Sequence, residues 1–137
     1  MKRFVVDTGP LVALLNANDA HHDWAKTTFS QIEPPVLTCE AVIAEACFLT
    51  ARLDGGADNV MDLLTRKILM LDFDLSAERE AVLALMKRYT STPMSLADAC
   101  LVRMAELDAD ASIVTLDSDF GVYRRNRRQS IPLLSPR

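Results

Sequence analysis

Five acidic residues stand where the chain changes local structure, and their types and spacing suit metal-assisted chemistry on phosphates. Asp7 closes the run Arg3-Phe4-Val5-Val6 and precedes Thr8-Gly9-Pro10. Glu45 falls three residues after Val42 and four before Leu49, on the apolar side of a helical pattern. A carboxylate buried there without a partner is costly, so Glu45 belongs at the edge of the core or in a site. Asp98 lies in Ser95-Leu96-Ala97-Asp98-Ala99, where Ser95 reads as an N-cap and Asp98 as an acid favoured by the helix dipole. Asp117 and Asp119, in Thr115-Leu116-Asp117-Ser118-Asp119-Phe120, follow a second β-branched run and read either as turn caps or as parts of a site.

Singly, each acid has a local explanation. As a set they have a stronger one. Carboxylates brought together repel, and the arrangement is tolerable only with protons or cations to offset the charge. No His or Cys stands at these positions, so the donors are hard oxygens, which suit Mg²⁺ or Mn²⁺ rather than Zn²⁺. Such ions bind phosphates, and one or two of them turn water into a nucleophile for in-line attack on a phosphodiester.

The elements that must bring the acids together follow from periodicity. Arg3 to Val6 is long enough for one buried strand, and Thr8 reads as the cap of a helix carrying Leu11, Leu14 and Leu15. Asp19 to Ile32 reads as a second helix anchored by Trp24, Phe29 and Ile32, stopped by Glu33-Pro34-Pro35. Val36-Leu37-Thr38 is a short strand, and Cys39 to Leu53 a helix that ends before Gly55-Gly56. Ala57 to Lys67 is helical, Ile68 to Phe73 a strand, and Ser76 to Tyr89 a helix capped by Ser76. Thr92-Pro93 breaks the chain before a helix from Ser95 to about Leu107. Ile113 to Leu116 is a strand ending at Asp117, and Ile131 to Leu134 an edge strand. Strands alternating with helices predict a parallel sheet with right-handed crossovers, covered on both faces. Asp7 and Asp117 then emerge on the same edge of that sheet, where open α/β sheets gather their ligands, and Asp98 opens a helix there.

Composition limits the rest. At 137 residues, half apolar and a quarter charged, the chain is expected to fold as one domain, residues 1–137, with a sizeable core. A formal charge of −4 does not mark a bulk nucleic-acid binder, so any such role falls to a local basic patch. Cys39, Cys47 and Cys100 form no CxxC pair and read as small buried hydrophobes. Asp7 interrupts the first apolar run and no segment reaches transmembrane length, which predicts a cytoplasmic protein without membrane contact.

These residues bring the chain to a known family. Along essentially its whole length it resembles the PIN domain, and specifically the small VapC-like toxins of prokaryotic toxin–antitoxin pairs. Val6-Asp7-Thr8 with Leu11-Val12-Ala13-Leu14-Leu15 resembles the opening motif. Glu45 within Val42-Ile43-Ala44-Glu45-Ala46 is similar to the helical glutamate, and Pro93-Met94-Ser95-Leu96-Ala97-Asp98-Ala99 to the central Asp-Ala motif. Thr115-Leu116-Asp117-Ser118-Asp119-Phe120 resembles the last acidic motif. The resemblance implies a three-layer α/β/α PIN-like fold around a central, mainly parallel sheet. It implies an endoribonuclease dependent on Mg²⁺ (or Mn²⁺), homodimeric and held inactive by a cognate antitoxin protein. By position, Asp7 and Asp98 are then the principal metal ligands and Asp117 completes the site, directly or through water. Asp119 is an auxiliary, Glu45 binds metal through water or orients the attacking water, and Thr8 and Thr115 hold neighbouring carboxylates by hydrogen bonds. The long insertions of larger PIN nucleases are missing, which favours the toxin.

RNA must also be held. Arg124, Arg125, Arg127 and Arg128 form the one dense basic cluster, suited to phosphate through paired hydrogen bonds, with a solvated turn as the plain alternative. His21-His22 read as surface decoration and stay outside the chemistry, while Trp24 and Tyr123 read as packing residues, with stacking on bases as the alternative. A receiver domain would want paired acids after the first strand and a Lys after a late one, and neither is present. A hydrolase of the Asp-x-Asp type fails because Thr8-Gly9 follows Asp7. The remaining alternative is a catalytically silent PIN-like module that binds RNA or protein; the filled acidic positions argue against it.

Overall fold

A computed structural model describes residues 2–136. Five short strands form one sheet: β1 (Arg3–Val6), β2 (Val36–Thr38), β3 (Leu69–Leu71), β4 (Ala111–Val114) and β7 (Leu133–Leu134). Their order is β3-β2-β1-β4-β7 and every pairing is parallel. Helices α1 (Thr8–Leu15), α2 (His22–Gln31), α3 (Glu40–Leu49), α4 (Gly56–Thr65), α5 (Leu75–Arg88) and α6 (Leu96–Leu107) flank it. A two-stranded antiparallel hairpin, β5 (Arg124–Arg125) with β6 (Gln129–Ser130), lies between β4 and β7 in the chain. The α/β fold with its parallel sheet is the one the sequence predicts.

Strands covered on both faces need apolar side chains throughout, and β4 is buried at every residue, as is β2. Helix α6 turns Ala97, Cys100, Leu101, Met104 and Ala105 into the same core, at the three- and four-residue spacing of one helical face. Cys39 and Cys100 are buried free thiols and Cys47 is half-buried. The outermost strand β3 leaves Met70 and Leu71 exposed.

Several boundaries differ from expectation, each for a local reason. Asp7, not Thr8, caps α1: its carboxylate accepts the Thr8 N–H at 2.8 Å. Asp74 rather than Ser76 caps α5, accepting from Ala77 N–H at 3.2 Å. Helix α3 stops at Leu49 instead of Leu53, where the Thr50 hydroxyl turns back onto the Ala46 carbonyl at 2.7 Å. Gly55 begins α4 rather than ending α3; its φ of 85° suits glycine best. Helix α2 starts at His22, after a turn in which Asp19 accepts the His21 N–H at 2.8 Å.

The sheet order fixes where a ligand crevice can form. From β1 the chain moves outward to β2 and β3 on one side, then returns to add β4 and β7 on the other. Strand order therefore reverses between β1 and β4, the point at which open parallel sheets bind ligands beyond their carboxyl ends. Val6 pairs with Val114, so Asp7 and Thr115 leave the sheet side by side.

Candidate active site

Asp7 sits at that switch point, 7% exposed. One carboxylate oxygen accepts the Thr8 N–H at 2.8 Å, and the other accepts the Thr115 hydroxyl, also at 2.8 Å. The Thr115 oxygen in turn accepts the backbone N–H of Asp117 at 2.9 Å. Thr115 thus ties the end of β1 to the loop after β4. Burial pushes the Asp7 carboxyl up to about 6; the two hydrogen bonds oppose this, and the charges of Asp98 and Asp117 add to it.

Asp98 lies in the first turn of α6, where a capping box holds it: Ser95 Oγ accepts the Asp98 N–H at 3.0 Å and Asp98 Oδ2 accepts the Ser95 N–H at 3.2 Å. The local reading of Asp98 is therefore right and compatible with a second role, because the box engages Oδ2 and leaves Oδ1 free. Burial raises its pKa above the usual carboxylate range, with the charges of Asp117 and Glu45 acting in the same direction. Asp117 caps the short 3-10 turn Ser118–Gly121, accepting the Asp119 N–H through Oδ1 at 2.9 Å. Its other oxygen faces no donor among the described residues.

Each of the four acids is thus felt by another: Asp98 and Asp117 by Asp7, Asp117 and Glu45 by Asp98. Glu45 is exposed on α3 and Leu49 beside it is 53% exposed, so that side of the helix is not the core face the sequence suggested. Asp119, which is half-buried, and the exposed Asp117 both act on the Tyr123 hydroxyl. No Lys or Arg pairs with any of these acids among the described residues, whose ion pairs join Arg3 to Asp108, Arg66 to Asp62, and Arg103 to Glu78 and Glu106. The Thr8 hydroxyl is buried next to Asp7 without a hydrogen-bond partner. Among the described residues no three ligating side chains close into a cage of their own. That pattern, carboxylate oxygens left over and unneutralised, fits Mg²⁺, which keeps several waters and takes one or two protein carboxylates.

Tyr123 is the residue that sequence reasoning passed over. It is fully buried, packed edge-on against Tyr89 and Phe120 at ring separations of 5.1 and 5.3 Å. Its hydroxyl donates to the Pro93 carbonyl at 2.9 Å and lies 3.4 Å from Asp98 Oδ2. Burial and the nearby charge of Asp98 push the phenol up. The contact spans 25 positions, so no local pattern announces it.

The arginines divide. Arg124 donates to the carbonyls of Gly121, Val122 and Tyr123 at 2.7–3.2 Å, and Arg125 to those of Ala105 and Ala109 at 3.3 and 3.4 Å. Arg127 and Arg128 are exposed in the turn between β5 and β6. His22 is explained by its ring contact with the Ala13 carbonyl at 2.8 Å.

The family model of the PIN domain matches residues 4–126, a stretch that holds the switch point and all of these acids. The chain belongs to that family. Among solved structures it is similar to VapC20 of Mycobacterium tuberculosis, described as a Sarcin-Ricin loop cleaving toxin, at 23% identity and a TM-score of 0.76 over 87% of this chain and 93% of that one. At that identity the likeness is one of fold. No curated protein matches the sequence. No helix among the described residues is long and apolar enough to cross a membrane.

Proposed function

We propose that this chain is a Mg²⁺- or Mn²⁺-dependent endoribonuclease, the toxin of a toxin–antitoxin pair. One observation carries the proposal: Asp7, Glu45, Asp98 and Asp117, distant in sequence, act on one another's charge with no basic partner. Membership of the PIN family and the shared fold of a toxin described as cleaving the Sarcin-Ricin loop support the same reading.

Asp7 and Asp98 would hold the ion, and Asp117 would complete the site directly or through water, with Asp119 beside them. When bound, it supplies positive charge at the phosphate and lowers the pKa of water. Thr115 keeps Asp7 ionised and aimed by its hydrogen bond, and the unpartnered Thr8 hydroxyl is placed to serve the same shell. Glu45, exposed and near Asp98, orients the attacking water and takes its proton. Arg127 and Arg128 are free to meet phosphate; Arg124 and Arg125 support them by bracing the hairpin. A second copy and an antitoxin are the expected protein partners, and Phe48 and Leu49 on α3 with Met61 on α4 give them exposed apolar surface.

The test is cleavage of RNA by the purified protein with Mg²⁺ or Mn²⁺, abolished by a chelator and by Asp7→Asn or Asp98→Asn. Expression in cells should arrest growth, with relief by Asp7→Asn or by the neighbouring gene product. RNA binding without cleavage under any divalent ion would leave the silent module instead.

A further inference from the structure

The acid cluster opens on one side into a cleft of about 310 Å³ beyond the carboxyl ends of β4 and β7. Thr115 and Asp117 belong to both, so whatever enters the cleft lies beside the acids. Its walls include Leu116, Leu133 and Pro136, and His21 and Ser118 stand among its polar groups. The His21 backbone is fixed by its hydrogen bond to Asp19 and the residue lines the cleft, while the ring of neighbouring His22 is taken up by the Ala13 carbonyl.

We propose that this cleft is a nucleobase site, which takes one unpaired base of an RNA next to the phosphate being cleaved. The proposal rests on the nuclease reading of the acids and adds to it how the substrate is chosen. Leu116, Leu133 and Pro136 give the cleft apolar walls that suit a flat base better than a phosphate, and no Lys or Arg lines it among the described residues. A base is a flat apolar plate with a polar edge, matching aliphatic walls with an imidazole and a hydroxyl beside them. A concave site of this kind takes a base only when it is splayed out of its stack, which selects loops, bulges and ends over duplex. Gly121 also lines the cleft, and a Cβ there would meet no atom within 4 Å. A larger side chain at that position can therefore fill the space without pressing on the core.

The experiment uses single-stranded RNA oligonucleotides, each carrying one abasic ribose at a successive position around the cleaved bond. With wild-type protein, removing one particular base should raise KM roughly tenfold or more, the loss expected for one stacked base. In Gly121→Phe the intact RNA should show that raised KM already, and the abasic change should add nothing further, with kcat little altered. His21→Ala should give a smaller rise at the same nucleotide. Ser118→Phe, at an exposed position in the same turn, is the second filler if Gly121→Phe fails to fold by its melting curve.

Fluorescence anisotropy with the same oligonucleotides in chelator reads the cleft apart from catalysis. If no RNA is cut but Gly121→Phe weakens binding of the intact RNA and not the abasic one, the nuclease reading falls and the base site stands. If abasic and Gly121→Phe losses multiply independently, or neither has an effect in either assay, the base site is overturned. A Gly121→Phe protein that handles every RNA as wild type yet escapes its antitoxin would make the cleft a protein-docking site, which also overturns the proposal.

Discussion

The Thr115 hydroxyl donates to the carboxylate of Asp7 at 2.8 Å, joining residues 108 positions apart. Because the same oxygen accepts the Asp117 N–H, one threonine sets the spacing between two of the acids. Replacing it by Val removes a buried donor that helps keep Asp7 ionised and leaves the Asp117 N–H without its acceptor. Thr115→Val should lose about 1–3 kcal/mol of stability. Its cleavage should also need a higher pH than wild type, because Asp7 rises further from about 6. A pH–rate profile beside a denaturant melt separates the two effects.

Asp7 itself should be a burden on the metal-free fold. Its pKa is raised from the ordinary 3.8 to about 6, so the folded state holds the proton more tightly than the unfolded one. The contribution of Asp7 to stability is then fullest below about pH 4 and is lost as pH rises through about 6, roughly 3 kcal/mol by neutral pH. Asp7→Asn, whose amide oxygen still accepts from Thr8, should melt higher than wild type at neutral pH in chelator and show a flatter pH dependence. Added Mg²⁺ or Mn²⁺ should raise the melting temperature of wild type and do so far less for the variant.

Tyr123→Phe tests whether Asp98 is positioned by the phenol. Loss of the bond to Pro93 should destabilise by about 1 kcal/mol. A merely structural role would stop there. A positioning role should also weaken Mn²⁺ binding several-fold by calorimetry in the absence of RNA, with kcat falling more than KM rises.

The basic cluster should separate by substitution. Arg127→Ala with Arg128→Ala should leave the melting temperature nearly unchanged, weaken RNA binding and reduce its salt dependence. Arg124→Ala removes a guanidinium that gathers three carbonyls, and should lower stability first.

What was legible from the sequence was whatever rests on neighbours along the chain. Asp98 and Ser95 are three residues apart, and the capping box between them is as their spacing suggests. The parallel sheet followed from strands alternating with helices along the chain, and buried runs such as Val5-Val6 and Ile113-Val114 are what strands covered on both faces require. Ends of helices were less legible because two side chains often compete for one cap; Asp7 and Asp74 won over Thr8 and Ser76. Glu45 was placed by counting from Val42 and Leu49; Val42 is buried and Leu49 exposed, so the acid stands where the core face of α3 meets solvent. Tyr123 is the packing residue it was read as, but its contact with Asp98 was not legible because it exists only after β4, the turn and α6 have packed.

The pairing of Val6 with Val114 has a consequence for how the site can be broken. At the opposite end of the same two strands, the Arg3 N–H donates to the Asp110 carbonyl at 3.2 Å and the Arg3 side chain pairs with Asp108. The buried pairs Val5–Ile113 and Val6–Val114 hold β1 in this register, with the exposed Arg3 contacts at its margin, and a shift of one notch would turn each side chain of one strand to the opposite face. Losing a single residue from the 108–110 turn should therefore disarm the molecule from its far side, with all its acids intact and its interior still oily.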